Sequence, residues 1–167
     1  MKRLILACSL LFSATSGWAA SADAALSAKV NAFVDAWHDD AAHARMAYFD
    51  KIAADGVYIG TDRSELWHKA AFKKWAAPYF AGKTAWAFKA TRRNVYTSID
   101  GKTIWFDELL DTQMGPCQAS GVLRATGSGS GSRFAIEHYQ LSMAVPNELA
   151  KAVTTLIGQH ASGAPAK

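Results

Sequence analysis

Apolar residues recur at intervals of three and four positions along the first half of the chain. In residues 23–38 this spacing predicts a long helix with one apolar face, formed by Leu26, Val30, Phe33, Val34 and Trp37. The helical pattern continues through residues 41–54, and residues 57–59 predict a short strand. Residues 64–79 return to helical spacing and close at Pro78. The amino-terminal half is therefore predicted to be mainly helical.

The second half of the chain has a strand-like pattern of residues in place of the helical spacing. Four segments favour strand, at residues 86–98, 102–110, 118–126 and 133–144. Asp100-Gly101 signals a hairpin turn, and the Gly-Ser repeat at 127–132 predicts a flexible loop. A last helix is predicted from Pro146 to about Ile157, followed by a flexible tail at 159–167. Helices followed by antiparallel strands are typical of an α+β domain.

One predicted strand carries apolar residues on both faces. In residues 103–110, one face holds Ile104, Phe106, Glu108 and Leu110, and the other holds Trp105, Asp107 and Leu109. Neither face is wholly polar, so both are expected to be covered. With helices on one side of the sheet, the other side is predicted to form a homodimer interface.

The first twenty residues have the layout of a secretory signal peptide: two basic residues, an apolar stretch and small residues near Ala19 and Ala20. The apolar stretch is too short to span a membrane. We therefore expect a periplasmic or secreted protein that has no membrane segment after cleavage. Removal of Lys2 and Arg3 lowers the formal net charge from +4 to +2, and the remaining basic residues form no stripe. Nucleic-acid binding is accordingly not expected.

Cleavage also removes Cys8 and leaves Cys117 as the single cysteine, so no internal disulfide is expected. Cys117 is either a small buried apolar residue or a reactive thiol. No metal site is predicted, because His38 and His43 are five residues apart and do not share a helix face. The sequence also lacks a nucleophile elbow, and no cofactor is expected.

Two pairs of adjacent residues supply candidate catalytic groups. Asp107 and Glu108 must point to opposite faces of their strand, as must Glu137 and His138. A carboxylate inside an apolar cavity would have a raised pKa, as a general acid or base requires. Asp107 and His138 are the catalytic candidates. The alternatives are a salt bridge to Arg92 or Arg93 and a hydrogen-bonded structural histidine.

The corner after residues 57–59 admits two interpretations. Asp62 or Ser64 could be the cap of the following helix. Alternatively, Thr61, Asp62 and Trp67 could border the mouth of a pocket. Five tryptophans remain after Trp18 is removed, and their number favours a cavity with aromatic walls, suited to a planar or alicyclic ligand.

The chain resembles the SnoaL-like domains of the nuclear-transport-factor-2-like (NTF2-like) superfamily. The segments that carry the resemblance are YIGTDRSELW (58–67), KKWAAPYFAGKTAW (73–86), IWFDELLD (104–111), CQASGVLR (117–124) and AIEHYQLSMAVPN (135–147). It covers residues 23–158 and implies a cone: a strongly curved antiparallel sheet wrapped around the amino-terminal helices, with a carboxy-terminal helix. It also implies an apolar cavity at the open end, whose expected lining residues are Trp37, Tyr58, Thr61, Asp62, Trp67, Trp86, Trp105 and Tyr139.

The resemblance leaves the function open, because this fold hosts several activities. Ketosteroid isomerase relatives need a carboxylate near the position of Gly60, which has no side chain. The first hypothesis is an exported domain that binds a small apolar or aromatic molecule. The second is a cofactor-free lyase or isomerase that uses a pocket carboxylate or histidine as general base. The third is a dimeric structural or protein-interaction module without a ligand.

Overall fold

A computed structural model describes residues 20–126 and 133–161. The predicted signal peptide before residue 20, the Gly-Ser loop at 127–132 and residues 162–167 of the predicted tail lie outside the described residues.

The predicted first helix is present as α1 (Ala24–Ala42). Asp23 caps its amino terminus, where Oδ1 accepts a hydrogen bond of 2.7 Å from the Leu26 N–H. Val30, Val34 and Trp37 of the predicted apolar face are fully buried. The helix thus packs on the rest of the domain through the face that the spacing predicts.

The segment after α1 differs from the prediction. The helical pattern of residues 41–54 gives only the short α2 (Ala47–Asp50), because Ala44 adopts a positive φ of 51° that ends the first helix. Strand β2 then begins early (Ile52–Ile59), since Ile52 and Ala53 are buried in the sheet. Tertiary burial decides the conformation here.

The segment after β2 turns back as a hairpin. Strand β3 (Leu66–His68) pairs antiparallel with β2, which places Trp67 opposite Tyr58. Helix α3 follows only at Lys69–Phe80, and no side chain caps it. The prediction that Asp62 or Ser64 caps this helix is therefore wrong. The Asp62 carboxylate accepts a hydrogen bond of 2.8 Å from the Ser64 N–H within the hairpin turn.

The sheet is completed by four long strands: β4 (Phe88–Thr97), β5 (Thr103–Thr112), β6 (Gly115–Thr126) and β7 (Arg133–Met143). With the two-residue β1 (Ala20–Ser21), the strand order is β1-β4-β5-β6-β7-β2-β3. All neighbours are antiparallel except β2 and β7. The register shifts in the β2–β7, β4–β5 and β6–β7 pairs. Irregularities of this kind bend strands, as the curved open sheet requires.

The concave face of the sheet holds α1 and the core. Trp37, Tyr48, Phe106 and Tyr139 are among its fully buried side chains. The opposite surface, which we call the outer face, carries Tyr96, Trp105, Asp107 and His138. After a 3-10 turn (Asn147–Leu149), α4 (Ala150–Ala161) buries none of its residues. The α+β cone predicted from the sequence is confirmed.

Candidate functional site

Aromatic side chains line a cavity of about 240 Å³ at the end of the sheet where β2, β3 and α3 meet. We call it the aromatic pocket. Its rings come from the β2–β3 hairpin, from one face of α3, from the segment before β4 and from β4 itself: Tyr58, Trp67, Phe72, Trp75, Tyr79, Trp86 and Phe88. Such a wall suits a ligand with flat or alicyclic surfaces.

Local structure explains why these rings converge. Tyr58 and Trp67 are directly opposite one another on paired strands. Phe72, Trp75 and Tyr79 are separated by three and four residues and therefore share one face of α3. The Tyr58 and Phe72 rings stack with centroids 4.1 Å apart, and Trp67 and Trp75 approach to 4.5 Å. The pocket wall is thus held in place by ring contacts between the hairpin and the helix.

Few charged groups border the aromatic pocket. Among its described lining residues, Glu65 is the only one with an acidic or basic side chain. Glu65 Oε2 accepts a hydrogen bond of 3.2 Å from the Asp62 N–H and lies against Gly60, where a Cβ would be only 2.1 Å from that oxygen. Gly60 therefore makes room for the Glu65 carboxylate at the pocket wall.

Three aromatic side chains at or behind the wall of the pocket carry polar atoms. Tyr58 and Trp86 line it, and Tyr48 lies behind them in the core. The Tyr48 hydroxyl and the Trp86 indole N–H are buried and complete no hydrogen bond with the residues the structure describes. Burial raises the pKa of Tyr48 well above its usual value; the Tyr58 hydroxyl raises it further, and the Trp86 indole opposes the rise. Burial also raises the pKa of Tyr58, against an opposing effect of the Tyr48 hydroxyl.

A separate charged cluster lies deeper in the cone, around Glu108 of β5. Glu108 Oε1 accepts hydrogen bonds of 2.9 Å from His38 Nε2 and from the Tyr139 hydroxyl. Oε2 accepts a hydrogen bond of 2.8 Å from Arg93 Nε, and Arg93 Nη2 lies 2.7 Å away. Burial alone would raise the pKa of Glu108, but the His38 hydrogen bond and the nearby His38 and Arg93 groups lower it overall. A carboxylate with this many partners is suited to joining α1 to the sheet and poorly suited to accepting a proton from a ligand.

The residues that the sequence predicts to form the site lie in three different places in the structure. Tyr58, Thr61, Trp67 and Trp86 line the aromatic pocket, and Asp62 lies beside it in the hairpin turn. Trp37 and Tyr139 are fully buried in the core next to it. Trp105, Asp107 and His138 lie on the outer face, away from the pocket.

Asp107 and His138, the predicted catalytic residues, are surrounded on the outer face by residues that do not belong to the aromatic pocket. The Asp107 carboxylate accepts hydrogen bonds of 2.7 Å from Asn94 Nδ2 and 3.1 Å from the Tyr96 hydroxyl. His138 is half-buried, and in the register it pairs with Val57 and Val122. Neither residue reaches the aromatic pocket.

Several residues of the site are not predicted from the sequence. The helical spacing of residues 64–79 predicts only a helix there, and it does not indicate that Phe72, Trp75 and Tyr79 line a pocket. The high density of aromatic residues between positions 67 and 86 is the signal that could have indicated a shared wall. His38 was considered only as a metal ligand, although it is the partner of Glu108.

Other kinds of site find little support in the part of the chain the structure describes. Within it, no group of three or more histidine, cysteine, aspartate or glutamate side chains could hold a metal ion. None of the described helices is both long and apolar enough to cross a membrane. Cys117 is buried and unpaired with another cysteine.

A curved sheet closed on one side by helices, with a pocket at its open end, defines a cone of the NTF2-like type. The model of the SnoaL-like domain family matches residues 30–146, and the chain belongs to that family. No curated protein matches the chain.

Solved structures with this fold share little sequence with the chain. An NTF2-like protein of unknown function from Pseudomonas putida KT2440 has a TM-score of 0.59 at 14% identity, over 75% of this chain and 92% of that one. ActVI-ORFA from Streptomyces coelicolor has a TM-score of 0.52 at 14% identity, over 71% and 96%. A putative calcium/calmodulin dependent protein kinase II association domain from Xanthomonas campestris has a TM-score of 0.50 at 17% identity, over 80% and 99%. These similarities establish the fold.

Proposed function

We propose that this protein binds a small apolar or aromatic molecule in the aromatic pocket, and that it does so after export. The observation that carries the proposal is the convergence of seven aromatic rings on one cavity of about 240 Å³. Ligand sites are mostly apolar concavities with a few placed polar groups, and this cavity has that composition. The signal-peptide pattern of residues 1–20 supports the export step.

The volume restricts the ligand. About 240 Å³ lies just below the range of roughly 300–1,000 Å³ typical of ligand pockets. The deeper part of the cone is filled by Trp37, Tyr48 and Tyr139. A ligand with one or two fused rings therefore fits better than an extended polycyclic one.

A larger groove of about 490 Å³ crosses the outer face, but its lining is mainly polar and includes Arg92, Asp107 and Gln118. It therefore does not meet the requirement for an apolar ligand.

NTF2-like folds commonly form dimers as well as binding small molecules. We propose that the outer face serves a homodimer. The half-buried, stacked rings of Tyr96 and Trp105, 5.9 Å apart, support that use of the surface.

Proton-transfer catalysis in the aromatic pocket is the second candidate function. Glu65 is the carboxylate that borders the pocket, and a cofactor-free isomerase or lyase would use it as the base. Glu108 is unsuited to that role because its oxygens already accept three hydrogen bonds. The binding function is favoured, since the conspicuous feature of the pocket is its aromatic wall.

The neutral fluorophore N-phenyl-1-naphthylamine tests the binding function. We expect the purified mature domain to bind it with a dissociation constant in the micromolar range, and Trp75→Ala to weaken binding at least about fivefold by removing part of the wall. Trp75 is 40% exposed, so its loss should leave the fold intact. Trp105→Phe, on the outer face, is the matched control and should bind as the wild type does. Equal binding by Trp75→Ala and the wild type would contradict the proposed site.

A further inference from the structure

Indole rings from three segments of the chain gather at the wall of the aromatic pocket. The Trp75 ring on α3 has its centroid 4.5 Å from that of Trp67 on the hairpin and 6.5 Å from that of Trp86. Tyr79 adds a fourth ring, 5.1 Å from Trp75 and 6.3 Å from Trp86. The face of an aromatic ring carries partial negative charge, and the indole ring attracts cations most strongly. A positive charge in this pocket is therefore within reach of several favourable ring faces at once.

The charge on the lining that the structure describes has the complementary sign. Glu65 is its single acidic or basic residue, and Gly60 leaves room for the Glu65 carboxylate at the wall. Burial raises the pKa of the Tyr58 hydroxyl and, against an opposing effect of the Tyr48 hydroxyl, the negative charge of Glu65 raises it further. The charge of Glu65 thus acts on a buried residue of the pocket wall. An anion would be repelled here, and a cation would be attracted.

The scarcity of hydrogen-bond acceptors restricts the kind of cation. A primary ammonium group has three N–H donors, each of which needs an acceptor when the group leaves water. Apart from Glu65 and two tyrosine hydroxyls, only Thr61 and Gln113 place an acceptor side-chain oxygen on the described lining. The Gln113 oxygen already accepts a hydrogen bond of 3.2 Å from the Ala87 N–H. A fully methylated ammonium group has no N–H donor, and its methyl groups pack against ring faces.

We propose that the ligand of the aromatic pocket carries a methylated ammonium group, held against the indole rings with the Glu65 carboxylate as its counter-charge. The inference rests on the proposed function, because it specifies the ligand of the same pocket. The remainder of the ligand is the apolar or aromatic part that the walls require. Trp75 and Glu65 are the residues that recognise the charge.

Two probes of nearly equal shape separate the charge from the apolar contacts. Phenyltrimethylammonium and tert-butylbenzene differ in whether nitrogen or carbon lies at the centre of the same three methyl groups. We expect the protein without residues 1–20 to bind the cation at least about fivefold more tightly, as measured by titration of its tryptophan fluorescence. Glu65→Gln should reduce that preference at least about threefold by removing the counter-charge. Trp75→Leu should also reduce it, because leucine keeps apolar surface but has no ring face.

Asp107→Asn is the matched control, since it removes one negative charge from the outer face and should keep the wild-type preference. Wild-type binding of the cation no tighter than that of the hydrocarbon, with N-phenyl-1-naphthylamine still bound, would overturn the cation proposal and leave the apolar pocket standing. An unchanged preference in Glu65→Gln would overturn the role of that carboxylate. Binding of neither probe, together with no binding of N-phenyl-1-naphthylamine, would overturn the proposed function itself. If Glu65→Gln fails to fold by circular dichroism, the wild-type ratio and Trp75→Leu decide.

Discussion

The side chain of Glu108, on β5, is hydrogen-bonded to residues of α1, β4 and β7. Its carboxylate is 1% exposed and receives hydrogen bonds from His38 of α1, Arg93 of β4 and Tyr139 of β7. The Arg93 guanidinium also reaches Asp35 on α1, at 2.9 Å. Buried charges are tolerated when they are paired and hydrogen-bonded, and removal of one partner leaves the other uncompensated.

We predict that Glu108→Gln lowers the free energy of unfolding by about 3 kcal/mol at neutral pH, because Arg93 is left buried without its main counter-charge. Urea denaturation followed by tryptophan fluorescence measures the change. Asp107→Asn is the matched control: it is the next residue of the same strand, on the outer face, and should cost less than about 1 kcal/mol. An equal loss in both variants would contradict the anchoring role of Glu108.

The stability difference between the wild type and Glu108→Gln is also predicted to depend on pH. The pKa of Glu108 is lowered in the folded protein from its ordinary value of 4.5, so the folded state binds the proton less readily than the unfolded state. The stabilisation is fully present above pH 4.5 and is lost as the pH falls through the folded pKa. We therefore expect the stability difference between wild type and Glu108→Gln to shrink steadily when unfolding is measured at decreasing pH below 4.5. A difference that stays constant down to pH 2 would contradict this.

The sequence predicts that Asp107 and Glu108 point to opposite faces, and the structure agrees, with Glu108 inward. Alternation alone could not decide which one is inward, because the answer depends on how the strands pair. A register shift between Ala90 and Arg92 helps bring Arg93 opposite Glu108. Such a shift has no clear signature in the sequence. His38 of α1, and not His138, is the histidine that meets this buried carboxylate, through a contact between helix and sheet that periodicity along the chain does not indicate.

At the scale of elements, the curved sheet depends on close contacts between neighbouring strands. Gly121 of β6 is paired with Phe106 of β5 and Tyr139 of β7. A Cβ at Gly121 would lie 2.5 Å from the Phe106 ring and 3.3 Å from the His138 carbonyl oxygen. The Phe106 ring is fully buried and has little room to move. The glycine thus lets a large aromatic ring lie over the neighbouring strand.

We predict that Gly121→Ala lowers the free energy of unfolding by about 2 kcal/mol, because the added methyl group overlaps the Phe106 ring. Equilibrium denaturation in urea measures the loss. Gly158→Ala in α4 is the control, since a Cβ there meets nothing within 4 Å and alanine favours helix over glycine. It should be neutral or slightly stabilising. A Gly121→Ala protein as stable as the wild type would show that Phe106 can repack.

The elements predicted from periodicity are mostly present, with two instructive differences. Residues 52–54 have a helical pattern but form part of β2, because pairing with β7 buries Ile52. Residues 66–68 were assigned to a helix but form β3, where Trp67 joins the wall of the aromatic pocket. In both cases contacts with residues distant in the chain outweigh local preference. The strands β4 to β7 needed no such correction, because alternation and turn residues agree there.

At the scale of the whole molecule, the cone is confirmed, but its interior is fuller than the cavity hypothesis assumed. Trp37 stacks on Tyr48 at 4.8 Å and meets Tyr139 edge-on at 4.8 Å, so the centre of the cone is solid. The described cavity with aromatic walls lies at the open end. An aromatic-rich composition indicated large rings around a ligand, yet composition cannot say which rings pack on one another.

The outer face carries the last prediction. Trp105 stacks on Tyr96, and the register places Val122, His138 and Val57 in line with them across the sheet. We expect the protein without residues 1–20 to be a dimer at micromolar concentration in sedimentation velocity. Trp105→Arg should shift it to the monomer, because two copies would bring buried positive charges together. Met46→Arg, an equally polar change at a residue that is 45% exposed and precedes α2, should remain dimeric. A wild-type protein that sediments as a monomer would contradict the interface, while the aromatic pocket, which is built within one chain, would still be expected to bind its ligand.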